Sequence, residues 1–154
     1  MASGLFMLLI HVMILVFGSI AATYDIKTRR IPNKLVLAML AAWVLVIVPG
    51  LFIDTDATIA YMMSSMLGFL IAGGLFMLVY LLSRKGLGGG DVKFMAVSGL
   101  YVGFWGALST IFIGSVLAAI IGGLLILFKK IDRKEPIPLA PFLLAGILVT
   151  VLIQ

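Results

Sequence analysis

Four of the five residues from 86 to 90 are glycine, and the run ends in a carboxylate: Gly86-Leu87-Gly88-Gly89-Gly90-Asp91-Val92-Lys93. It lies between two long apolar stretches of a chain that has only six acidic residues. One reading makes Asp91 a helix N-cap, since a short acceptor side chain with negative charge suits the first turn of the apolar helix that follows. Asp25 stands in an Asp-Ile-Lys triplet that matches the Asp-Val-Lys of Asp91. Its ordinary reading is an interfacial residue compensated by Lys27, Arg29 and Arg30. A cap explains one carboxylate, but neither four glycines nor the repeated triplet.

Two aspartates within hydrogen-bond reach share a proton and titrate as a pair. One can then take a proton from an attacking water while the other protonates or polarises a carbonyl oxygen, the chemistry of an aspartic peptidase. Glycine suits such a substrate, because a helical peptide hides its carbonyls and must be extended against enzyme backbone before it is cut. A turn that simply admits positive φ explains the glycines as well. Other nucleophiles are poorly supplied: cysteine is absent, and the one histidine, His11, lies fourteen residues before Asp25, or about 21 Å along a helix. Absence of cysteine also removes disulfides and thiolate metal sites. Lys93 is a candidate for orienting Asp91, but residues two apart on a helix diverge, so Lys93 and Lys27 read first as charges that set topology.

The elements that must position these residues are membrane helices. Hydrophobic residues make up 64% of the 154 and charged residues 11%, with a mean hydropathy of +1.31, far from the composition of a soluble domain. Apolar runs near 4–23, 35–53, 59–82, 92–106, 109–128 and 138–153 predict an all-α integral membrane protein, a polytopic bundle of six transmembrane helices forming one domain over 1–154. Residues 94–128 are too long for one span, so a turn near Gly103, Trp105 and Gly106 is expected to split them. The last run, opened by Pro136, Pro138 and Pro141, is short. Leu5 to Phe17 resembles a signal-peptide core but has no basic segment before it, and is read as a retained helix.

On this arrangement all eleven basic residues fall in the first, third and fifth loops, while the second holds Asp54 and Asp56 and the fourth holds no charge. The positive-inside rule then makes the odd loops cytoplasmic and both termini extracytoplasmic. The net charge of +5 is accounted for by topology, with the lipid bilayer rather than nucleic acid as the surrounding partner. Asp25 and Asp91 share one face, Asp54 and Asp56 lie about 30 Å away, and Asp132 and Glu135 sit among Lys129, Lys130, Arg133 and Lys134 as solvated pairs. Pro32 and Asn33 start the second helix. Gly99 with Gly103, Gly73-Gly74 and Gly122-Gly123 read as close helix packing.

Three stretches together resemble one family, the type IV prepilin peptidases. Gly86 to Phe94, with Gly99 and Gly103, is similar to its Gly-x-Gly-Asp core; Tyr24-Asp25 through Ile31-Pro32-Asn33 to its other aspartate signature; Ile137-Pro138-Leu139-Ala140-Pro141-Phe142 to the start of its final helix. The resemblance implies an intramembrane aspartic endopeptidase with Asp25 and Asp91 catalytic, and Gly86, Gly88, Gly89, Gly90 and Lys93 around the substrate. Its substrates would be prepilin or pseudopilin proteins, cut at the cytoplasmic face of the inner membrane after a glycine, between a short basic leader and a hydrophobic helix. It would use no metal or organic cofactor. Larger members carry an N-terminal cytoplasmic region with four zinc-binding cysteines, linked to methylation of the new amino terminus. Here the chain enters its first helix almost at once, so zinc and methyltransferase activity are not expected, as in the Tad-type or archaellin-processing branch. The alternatives are a small proton-coupled transporter or secretion-apparatus membrane subunit, since membrane carboxylates also relay protons, and a presenilin-like protease, whose family is larger and sets its first aspartate in a different motif.

Overall fold

The computed structural model describes residues 2–83, 87–129 and 137–153. Gly86, Arg84, Lys85, Lys130, Asp132, Arg133, Lys134, Glu135 and Pro136 lie outside the described residues. The described chain forms five helices: α1 (Ala2–Thr28), α2 (Asn33–Ile53), α3 (Thr55–Leu82), α4 (Gly89–Leu127) and α5 (Ala140–Ile153). The first four are long and apolar enough to cross a membrane, whereas α5 has 14 residues, about 21 Å. Their outer faces are apolar too: Phe52 is 87% exposed, Trp105 74% and Leu45 73%. Helices apolar all round belong in lipid or in a large core, and the inner faces here already supply the core, with Phe94, Met95, Tyr101, Ile10, Ile14 and Met39 fully buried.

Helices α1 to α4 begin before their apolar runs, whereas α5 begins two residues after its own, at Ala140. Helix α1 continues past residue 23, where Thr23 and Thr28 satisfy their hydroxyls on the carbonyls of Ser19 and Tyr24, at 2.8 and 2.9 Å, within the helix. Asp25 therefore sits within α1, its carbonyl accepting from Arg29 N–H at 2.8 Å. Arg29 leaves the helix at φ 52°, the left-handed ending common at helix C-termini. Pro32 caps α2, and Asn33 opens it. Asp54, between α2 and α3, caps α3 by accepting from Ala57 N–H at 3.2 Å.

Instead of the six helices expected there are five among the described residues, because residues 89–127 stay helical on both sides of one non-helical residue, Gly103 (φ 68°, ψ −172°). Trp105 and Gly106 are helical. Contacts give the direction of each half. Up to Gly103, α4 runs against α3 in the opposite sense, with Gly73 facing Ala96, Gly68 packed on Gly99 and Ser64 on Gly103. Beyond it, α4 runs against α5, with Gly146 on Thr110, Gly114 on Leu143 and Gly122 beside Ile137, so the chain turns back at Gly103 toward the end where α4 began. Such close approaches are the work of small residues. Gly74 and Gly123, read from sequence as packing residues, face open space.

The reversal frees backbone groups inside an apolar bundle, and side chains take them up. Phe104 N–H donates to Ser64 Oγ at 3.1 Å. Leu100 carbonyl accepts from Trp43 Nε1 at 3.0 Å and Tyr61 hydroxyl at 2.9 Å, and Tyr61 also reaches the Tyr101 carbonyl at 2.9 Å. Tyr101 in turn donates to the Met39 carbonyl at 2.6 Å. An unsatisfied backbone group in hydrocarbon costs several kcal/mol, so a glycine break here requires these aromatic and hydroxyl partners.

Candidate active site

At the opposite end of the bundle from Asp54, Asp25 is 5% exposed. Its Oδ2 accepts a hydrogen bond at 2.9 Å from the N–H of Ala140, the first residue of α5. A carboxylate near the C-terminal end of its own helix meets an unfavourable dipole, and the N-terminus of α5 supplies the opposite one. The Ile137-Pro138-Leu139-Ala140-Pro141 stretch thus ends its extended part against Asp25.

Asp91 occupies the first turn of α4, as the cap reading allows, but the N-cap itself is Gly88. Gly88 N–H donates to Asp91 Oδ2 at 3.2 Å, the return bond of a helix start. Asp91 Oδ1 is buried with no partner among the described residues. The glycines before it have separate reasons. A Cβ on Gly88 would stand 3.0 Å from Asp91 Oδ2, and one on Gly90 would stand 3.2 Å from the Ile31 carbonyl oxygen, whereas Gly89 faces open space. Glycine at 88 lets the carboxylate fold back, glycine at 90 lets α4 start against the loop after α1, and glycine at 89 leaves room beside them.

Asp25 and Asp91 line one cavity of about 350 Å³ together with Arg29, Arg30, Ile31, Asn33 and Gly88 to Gly90. Its lining thus includes both aspartates, three glycines and two arginines. Lys93 is exposed and donates from Nζ to Asn33 Oδ1 at 3.1 Å, tying the start of α4 to the start of α2 rather than turning to Asp91. Gly86 lies outside the described residues. His11, half-buried in α1, takes no place in this cavity. Asp54 lies at the far end of α2, 21 residues from Asn33, or about 31 Å. Among the described residues no three Asp, Glu, His or Cys side chains converge as a metal site requires. Sequence reasoning missed the Ala140 N–H and the Lys93–Asn33 contact, and read Arg29 and Arg30 only as charges compensating Asp25. The Pro138 and Pro141 pair signalled a helix start, and helix starts present free N–H groups.

The family described as "Type IV leader peptidase family" matches residues 8–123. The chain is 28% identical over 133 residues to a prepilin leader peptidase/N-methyltransferase of Stutzerimonas stutzeri, covering 85% of this chain and 45% of that protein. It is 30% identical over 134 residues to one of Aeromonas hydrophila, at 85% and 45% coverage, and 27% identical over 127 residues to one of Bacillus subtilis (strain 168), at 82% and 48%. The chain spans a little under half the length of these curated relatives. No solved structure matches it significantly.

Proposed function

We propose, for a chain that belongs to the type IV leader peptidase family, that it is an intramembrane aspartic endopeptidase removing the short basic leader of prepilin-like proteins. One observation carries the reading: two aspartates distant in sequence line a single cavity, and an oxygen of one is buried with no partner among the described residues. A buried carboxylate oxygen left without a donor costs stability, and chemistry is the common reason for tolerating it.

In the proposed reaction a water enters between Asp25 and Asp91. One aspartate takes its proton as the oxygen adds to the carbonyl carbon of the scissile peptide, and the other gives a proton to the carbonyl oxygen. Collapse of the tetrahedral species breaks the C–N bond, with the proton passing to the leaving nitrogen. The products are the leader's carboxyl group and a new amine. Gly89, beside open space, leaves room for an extended substrate backbone. Peptide hydrolysis is the half of the relatives' two-part name that paired carboxylates can perform; methyl transfer needs a methyl donor instead.

We read α1 to α3, the two halves of α4, and α5 as six membrane passages. Lys27, Arg29, Arg30, Lys34 and Lys93 gather at the dyad's end of the bundle and Asp54 and Asp56 at the other, which under the positive-inside rule supports a cytoplasmic face for the dyad and extracytoplasmic termini. Water is available at such a boundary and scarce at the bilayer centre. The cleavage position after a glycine follows from the family resemblance.

The test is cleavage of a purified prepilin, carrying a basic leader, a glycine and an apolar helix, by protein in lipid. Wild type is expected to release the leader, and Asp25→Asn and Asp91→Asn each to abolish release. Wild-type rates in both variants would remove the dyad, and ion flux without cleavage would point to a proton-relay protein.

A further inference from the structure

We infer that the N-terminus of α5 is a positioning part of the active site, acting through the single N–H of Ala140 on Asp25. The family match covers residues 8–123, and the donor to Asp25 comes from α5, which begins at Ala140. The inference rests on the peptidase reading for its kinetic consequence, but the contact itself stands on geometry.

The local sequence singles out one donor. The first N–H groups of a helix have no intrahelical acceptor and must find one elsewhere. Pro138 and Pro141 have no N–H at all, and Phe142 N–H is taken by the Leu139 carbonyl at 3.1 Å. Ala140 N–H is aimed at Asp25 Oδ2 at 2.9 Å, with Ala140 fully buried. A proline on each side thus limits which donor Asp25 can meet.

The donor is also held in place. Behind Ala140, α5 is locked to its neighbours along its length: Gly18 of α1 lies against Leu144, Gly146 against the Thr110 carbonyl, and Thr150 is hydrogen-bonded to Thr110 at 3.1 Å. These contacts join α5 to α1, which bears Asp25, and to the returning half of α4. A side chain fixed by a rigid neighbour keeps its reacting oxygen in register with the substrate, where a misplacement of about 1 Å can cost about 10²-fold in rate. Ala140 is a positioning residue: its N–H bonds the oxygen of Asp25 that it faces and touches no substrate.

The cleanest test replaces the amide at position 140 by an ester, incorporating lactic acid by nonsense suppression, which deletes the N–H and adds no atom. The expected result with purified prepilin is a kcat lower by about 10²-fold with KM and thermal unfolding unchanged. An ester also weakens the Leu139 carbonyl as an acceptor, so the control is an ester at position 142, which removes the Phe142 N–H from that same carbonyl and should leave kcat at the wild-type value. A wild-type kcat in the 140 ester, or an equal loss in the 142 ester, overturns the inference. A second measurement does not depend on activity: in protein labelled with ¹⁵N-alanine, the Ala140 amide proton resonance should move strongly in Asp25→Asn and little in Asp91→Asn. Equal shifts in both variants overturn the contact even if no prepilin is cleaved, whereas the expected shifts without cleavage would retire the peptidase reading and keep the contact.

Discussion

Two places in this bundle interrupt the apolar helices with polar groups, and they are resolved in opposite ways. At Gly103 the backbone reverses, and the freed carbonyls of Leu100 and Tyr101 and the N–H of Phe104 are met by Trp43, Tyr61 and Ser64. At the other end Asp25 and Asp91 enter a shared cavity, and Asp91 Oδ1 is buried with no partner among the described residues. Two hydroxyls near Gly103, Ser65 Oγ and Ser98 Oγ, are buried with no partner among the described residues, but the backbone groups named there are met, and satisfied groups of that kind rigidify a fold. A polar group that is left short, beside a second carboxylate and an opening, is where chemistry is to be sought. The contrast separates two kinds of variant: changes at the reversal should cost stability and spare the rate of each folded molecule, and changes at the dyad should do the reverse.

The largest effect tests the dyad half of that contrast. In the proposed mechanism Asp25→Asn and Asp91→Asn each remove a proton-transferring group, so kcat for leader release should fall by about 10²- to 10⁴-fold, a barrier rise of about 3 to 5 kcal/mol. Thermal unfolding should hold or improve, since a neutral amide in place of a carboxylate beside Asp25 or Asp91 removes a like-charge contact. A fall in stability comparable to the loss of rate would make the aspartates structural and erase the distinction.

Next in size is Gly68→Ala. Its new Cβ would meet backbone rather than a side chain that can swing away: the Gly99 carbonyl oxygen on one side and the Gly103 carbonyl carbon and oxygen at 2.7 Å on the other. Helices α3 and α4 must move apart where the chain reverses, and over-packing of this kind costs about 1 to 3 kcal/mol. Unfolding in lipid or mild detergent should register the loss, while kcat of the surviving folded fraction stays within reach of wild type. Smaller again is Ser64→Ala, which leaves Phe104 N–H without its acceptor at a cost of about 1 to 2 kcal/mol. If either variant lowered kcat as much as stability, the reversal and the dyad would be one coupled unit.

These sites differ as well in how far the sequence exposes them. Composition and run lengths lead directly to membrane helices, and the excess length of residues 94–128 calls for a division near the glycine where the chain does turn back. The pairing of Asp25 with Asp91 follows from charge placement, because Lys27, Arg29, Arg30 and Lys93 cluster with them and Asp54 and Asp56 do not. What stays hidden is long-range and made by backbone or uncharged groups. Nothing in Ala140 as a residue type says that its N–H meets Asp25, and nothing in Trp43, Tyr61 or Ser64 distinguishes a plug for a broken helix from ordinary apolar or interfacial residues. The glycine run is half-legible: it marks a tight place, but only the fold shows Gly90 against Ile31 and Gly88 against Asp91 itself.

Lys93 gives the smallest expected effect and the finest division of structure from chemistry. Its charge suits the positive-inside pattern, yet its Nζ lies 3.1 Å from Asn33 Oδ1, bridging the starts of the two helices that flank the cavity. If charge alone matters, Lys93→Arg should behave as wild type, and Lys93→Gln should alter only insertion, weakly, because Lys27, Arg29, Arg30 and Lys34 remain at that end. If the bridge steadies Asp91, Lys93→Gln and Asn33→Ala should each lower kcat a few-fold, about 1 kcal/mol for an exposed contact. The double variant should then be no worse than either single one, since each removes the same bond. Additive losses would show two independent roles, leaving Lys93 with topology and Asn33 with the opening of α2.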